Sequence, residues 1–150
     1  MNVEHHTQPH MLERYSFLWS EARLLIAAVA LFIGGIPPLL AWNPISSLYN
    51  LFSGLLTIAW ILSGIASAYL LYRWTHNAHV LFGKKDQKDT VSFFISIVSG
   101  LNLGLAGITG NNIGMAIAHS RIIFSLVGLL YVATAVYLYK RWSNFGNKIF

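Results

Sequence analysis

Residues Val91–Asn112 read VSFFISIVSGLNLGLAGITGNN, without a single charged side chain. A helix needs about 20 such residues to cross a hydrocarbon core. Small residues recur at every fourth position: Ser92, Ser96, Gly100 and Gly104. Gly107, Gly110 and the pair Asn111–Asn112 follow. In water each glycine costs a helix about 1 kcal/mol relative to alanine. In a bilayer the same residues let helix backbones approach closely. The stretch is therefore expected to be the helix against which the others pack. Gly64 and Ala68, with Ser63 and Ser67, offer a second small-residue face upstream.

The remaining composition agrees with a membrane chain. The 150 residues suffice for one domain, 55% are hydrophobic and only 10% are charged, with a mean hydropathy of +0.56. A soluble domain carries about 25% charged residues. Three segments lack Asp, Glu, Lys, Arg and His altogether: Leu24–Tyr72, Thr90–Ala118 and Ile122–Tyr139. The first is about twice the length of one span and contains Asn43-Pro44 near its middle, so it must hold two. The expected fold is an all-α integral membrane protein, a four-transmembrane-helix bundle with spans near 20–42, 47–72, 91–110 and 122–140. These make up a domain over 20–142, preceded by an N-terminal tail with an interfacial segment over 1–19 and followed by a C-terminal tail over 143–150.

The tail MNVEHHTQPHMLERYS lacks the basic, apolar and small-residue order of a cleavable leader, so the first span is expected to be retained. Glu13, Arg14, Glu21 and Arg23 are expected at the headgroups. Gly34-Gly35-Ile36-Pro37-Pro38 should break or kink the first helix, because proline removes a backbone donor and clashes with the preceding turn. Arg14, Arg23, the loop Arg73–Asp89 and Lys140, Arg141 and Lys148 fall on one side of the expected topology, and Arg121 stands on the other. The positive-inside rule then puts both termini in the cytoplasm, in a prokaryotic plasma membrane. The net charge of +5 follows from these helix-end residues and suits anionic lipid, not nucleic acid.

One offset sets Arg73-Trp74 on Arg141-Trp142, Tyr69-Leu70 on Tyr137-Leu138 and Asn43 on Asn111. This pattern raises the possibility of two tandem parallel hairpins related by an axis along the membrane normal. Interfacial Tyr, Trp and Arg arising independently at helix ends is the competing account.

Chemistry is sparse. With no cysteine, thiolate metal sites and cysteine nucleophiles are excluded. His76 and His79 stand one helical turn apart, and Asp86 and Asp89 nearby could complete the four ligands of a structural zinc, but solvated interfacial histidines are far commoner than such a site. No metal and no cofactor is expected: His119 should lie about 30 Å from the other two, across the bilayer, so the histidines cannot sandwich a haem. Carboxylates are expected to be absent from the spans, which argues against a proton relay, and no catalytic constellation is visible. His119 and Arg121 open a choice between a polar vestibule and simple snorkelling.

Two functional readings remain, neither of them enzymatic. In the first, the chain is a packing or accessory subunit of a homo-oligomer or larger membrane complex. It works through Ser92, Ser96, Gly100, Gly104, Gly64 and Ala68, with lipid and other membrane subunits as partners. In the second, it is a small channel or transporter for an ion or small solute, with a polar path along Asn102, Thr109, Asn111 and Asn112.

Overall fold

The computed structural model describes residues 9–43, 45–117 and 120–150. Among them the chain forms α1 (Pro9–Phe32), the short α2 (Pro38–Ala41), a 3-10 turn (Ser46–Leu48), α3 (Tyr49–His76), α4 (Gln87–Thr109), the short α5 (Ile113–Ile117) and α6 (Arg121–Asn144). Four helices, α1, α4, α6 and the run Ser46–His76, are long and apolar enough to cross a membrane.

The first helix is displaced from its expected position. It begins at Pro9 and ends at Phe32, not near 20–42, because Gly34 and Gly35 both take left-handed backbone (φ 92° and 87°) and Pro37-Pro38 starts a new helix. The interfacial segment over 11–19 is simply its first half. Arg23 therefore stands 14 residues inside a 24-residue helix, about 21 Å from its start. Glu21 and Arg23, expected at the headgroups, are both buried within the bundle, at 5% exposure each. Carboxylates are accordingly present in the long helices, as Glu13 and Glu21 in α1 and Asp89 in α4. The other helices lie within a few residues of their expected bounds.

Around the bundle α1 packs on α3, α3 on α4, α4 on α6 and α6 on α1, and α1 also touches α4 across the diagonal. The closest pairing is α3 with α4, and its glycines explain why. A Cβ on Gly64 would stand 2.7 Å from the Cα of Gly104, so the two backbones touch where neither residue has a side chain.

Most of the basic side chains, Arg23 and Arg121 excepted, collect at one end of the bundle, where two ion pairs tie the helices. Arg73 of α3 pairs with Glu13 of α1. Arg141 of α6 holds Asp89 of α4 through Nε and Nη2 at 2.8 and 2.7 Å, and the Tyr137 hydroxyl donates to the same carboxylate at 2.7 Å. Asp86 caps α4, accepting from the amides of Lys88 and Asp89. Beneath these pairs lies a hydrophobic cluster of aromatic and aliphatic side chains that includes Phe17, Phe82, Phe93, Leu138, Trp142 and Ile149. The chain's last residues join it: the Ile149 carbonyl accepts from the Phe82 amide at 2.8 Å.

Both halves run in the same order: long helix, left-handed glycine, short helix, long helix. Gly34 and Gly110 (φ 74°) mark the corresponding breaks. The expected match of Asn43 with Asn111 fails, since Asn43 follows its short helix and Asn111 precedes its own.

Candidate functional site

The bundle is filled at its basic end and hollow toward the other. A cavity of about 870 Å³ begins at Arg23 and Ser99 in the middle of the helices and extends to Pro38 and Trp42. Ile26, Leu31, Phe52, Leu55 and Trp60 contribute to its largely apolar walls. The short helices α2 and α5 supply part of the far rim through Leu39, Gly114 and Met115. The breaks in α1 and α4 thus matter structurally: they stop two long helices early and turn the chain across the mouth of the hollow half.

A polar layer separates the hollow half from the packed half. Arg23 reaches across from α1 to α4, where Nη1 donates to Ser99 Oγ at 3.0 Å and Nη2 to the Ser96 carbonyl at 2.8 Å and its hydroxyl at 3.3 Å. Gly100 makes this possible, because a Cβ there would lie 3.0 Å from the guanidinium carbon and collide with Ser67 Oγ. On the α3 side Trp19 Nε1 donates to Ser63 Oγ at 3.0 Å, and that hydroxyl donates to the Ala59 carbonyl at 2.7 Å.

Each partner of the Arg23 guanidinium is electrically neutral. Among the described residues no carboxylate lies within 4.0 Å of it, and its Nε has no hydrogen-bond partner. Glu21, two residues earlier on α1, points about 200° away around the helix. It does not line the cavity, and neither of its oxygens finds a donor. A buried ion whose direct partners are all neutral is costly, and inside an apolar bundle such a residue is a candidate functional site.

The residues singled out from the sequence scatter over different tasks. Gly64, Gly100 and Gly104 lie in the α3–α4 contact, and Ser96 binds Arg23, so most of the small-residue seam is occupied within one chain. Ala68 is exposed and Ser92 half-buried, lining a shallow groove between α4 and α6 together with Lys88 and Tyr137. Of the four polar-path residues, Asn102 and Asn112 border the cavity, whereas Thr109 and Asn111 sit on the exposed turn outside it. Asn102 and Asn112 hydrogen-bond to each other at 2.8 Å and accept from the amides of Gly114 and Met115 respectively, which clasps α5 onto α4.

His76 turns back on its own helix, 2.9 Å from the Tyr72 carbonyl, and His79 packs on Trp74. Asp89 is taken by Arg141, and no cluster of metal-ligating residues forms among the described residues. The vestibule reading of His119 lies outside the described residues.

Arg23 is the residue that sequence reasoning missed. The charge-free interval begins only after it, so counting span length from there pushed it to the surface. The signal was nonetheless present, because Gly34-Gly35 followed by Pro37-Pro38 cannot continue a helix. A full-length span ending before that break must reach back about 20 residues, which carries Arg23 inward. Compared with protein-family models, curated proteins and solved structures, the chain gives no match.

Proposed function

We propose that the chain is an integral membrane protein, non-enzymatic, that binds a small, largely apolar molecule within its bundle and serves as a carrier or transporter. Both termini then lie in the cytoplasm with the basic end, and the cavity opens toward the outer leaflet. The observation that supports this most is the hollow itself, since about 870 Å³ falls in the range of ligand sites, roughly 300–1,000 Å³. An apolar lining with a few convergent polar groups is also the usual chemistry of such sites. The hydrophobic cluster at the basic end closes the opposite route, as expected of a carrier open on one side. The matching order of the two halves favours tandem parallel hairpins with the cavity between them.

The accessory-subunit reading draws less support. It was motivated by a seam too large for one small bundle, and α3 and α4 of the same chain use most of that seam.

The test uses the protein in phosphatidylcholine nanodiscs, with 1-decanol as the neutral probe. Trp19, Trp42 and Trp60 line the cavity, so their emission reports its filling. The expected result is a saturable change that disappears in Ala59→Phe, which fills the cavity from α3. A change that rises linearly with probe and is unaffected by Ala59→Phe is partition into lipid, and the reading fails.

A further inference from the structure

The unpaired cation at the inner end of the cavity specifies a kind of ligand. We infer that the cavity binds an anionic amphiphile of the fatty-acid type, with its carboxylate on Arg23 and its chain running toward Pro38 and Trp42; this rests on the cavity-binding reading above. Three observations converge. Arg23 is 5% exposed and borders the cavity, yet its Nε is unpartnered. Its remaining contacts, with Ser99 and Ser96, fix the plane of the guanidinium and carry no charge, and the buried Glu21 makes no hydrogen bond to it. The walls beyond it are hydrocarbon and aromatic, with Ile26, Leu31, Leu55 and Phe124 among them, so only the end of the ligand at Arg23 is asked to be polar.

The dimensions agree. From Arg23 to the end of α1 at Phe32 the helix rises about 14 Å, enough for a medium-length acyl chain lying along it. A carboxylate accepts from a guanidinium through charge-assisted bonds about twice as strong as neutral ones. Ser99 lines the same floor and offers a hydroxyl beside the headgroup. A cationic headgroup meets repulsion at this point, and a neutral alcohol leaves the charge unmet. The order expected is therefore anion, then neutral, then cation.

The experiment compares decanoate, 1-decanol and decyltrimethylammonium on the same nanodiscs at pH 8, each corrected for partition into protein-free discs. The expected result is that decanoate binds at least about tenfold more tightly than decanol and that decyltrimethylammonium is weakest. In Arg23→Gln the advantage of decanoate disappears while decanol binding is retained. Equal affinities of decanoate and decanol overturn the inference and leave the cavity reading standing. Failure of all three to saturate overturns both. A decanoate preference that persists in Arg23→Gln assigns the anion elsewhere and also overturns it. If Arg23→Gln does not fold, the ranking of the three probes on the unmodified protein decides alone.

Discussion

Gly64→Ala is the most direct test of how this bundle is held together. The added Cβ would lie 2.7 Å from Gly104 Cα and 3.5 Å from its amide nitrogen. Carbon atoms rest comfortably at about 3.5–4.0 Å, so α3 and α4 must separate by about 1 Å. Rotamer adjustment offers no relief, because the obstacle is backbone. Overpacking of this kind costs about 1–3 kcal/mol, and retreat also loosens the neighbouring contact of Gly107 with Ile61 and the Thr57 carbonyl. Alanine returns up to about 1 kcal/mol through helix propensity, leaving a net loss of up to about 2 kcal/mol. Gly54 supplies the control: it lies on the same helix, and a Cβ there meets nothing within 4 Å. Unfolding by denaturing detergent, followed by circular dichroism, should rank Gly64→Ala below the unmodified protein and Gly54→Ala at or above it. Equal behaviour of the two variants would refute the close approach of α3 and α4. An intact fold with loss of an oligomer would instead place the glycine face between chains.

Two further perturbations address the basic end. Asp89→Asn removes the charge that Arg141 and Tyr137 share; because Arg141 is 26% exposed, the expected loss is about 1–3 kcal/mol, less than for a fully buried pair. Tyr137→Phe removes one hydrogen bond and should cost about 1 kcal/mol in the same unfolding assay. Asp86 has its carboxyl held below the usual carboxylate range by the Lys88 amide and by Lys84. The stabilisation it gives the start of α4 is therefore complete above the ordinary aspartate range and lost as pH falls through the lowered value. Hydrogen exchange at the Lys88 and Asp89 amides should speed up as pH falls through that range, relative to Asp86→Ala, where no such step remains.

The number of long helices, and the bounds of the last three within a few residues, were legible because charge-free length is a one-dimensional property; the first helix, which carries charges, was misplaced by the same measure. Their small-residue faces were legible too, but what they meet was not. Ser92, Ser96, Gly100 and Gly104 read as one seam because they share a spacing, while the fold divides them among a groove, a guanidinium and a glycine-to-glycine contact. Spacing says which residues share a face. It does not say which neighbour that face finds. The polar-path residues divide for a related reason: Asn102 and Asn112 pair with each other at the cavity border, while Thr109 and Asn111 stand on the exposed turn.

A spacing of 76 positions recurs between the first and second halves of the chain, and Arg23 takes part in it. Arg23 and the Ser99 it binds stand 76 positions apart, as do the acidic residues Glu13 and Asp89 and the break glycines Gly34 and Gly110. In each half the acid of the first helix pairs with an arginine near the end of the last, Arg73 in one and Arg141 in the other. Of the pairs 76 positions apart, Arg23 and Ser99 meet directly, where α1 touches α4. Two guanidiniums cannot share that position without repulsion, so the halves must differ there. They differ again at the next residue, where α1 has fully buried Leu24 and α4 has Gly100 at the same separation of 76. The glycine opens space beside α4 and the leucine closes it beside α1, so the guanidinium lies against α4. These two differences leave Arg23 held by neutral partners on α4 at the border of the cavity, which is the position the proposed anion requires.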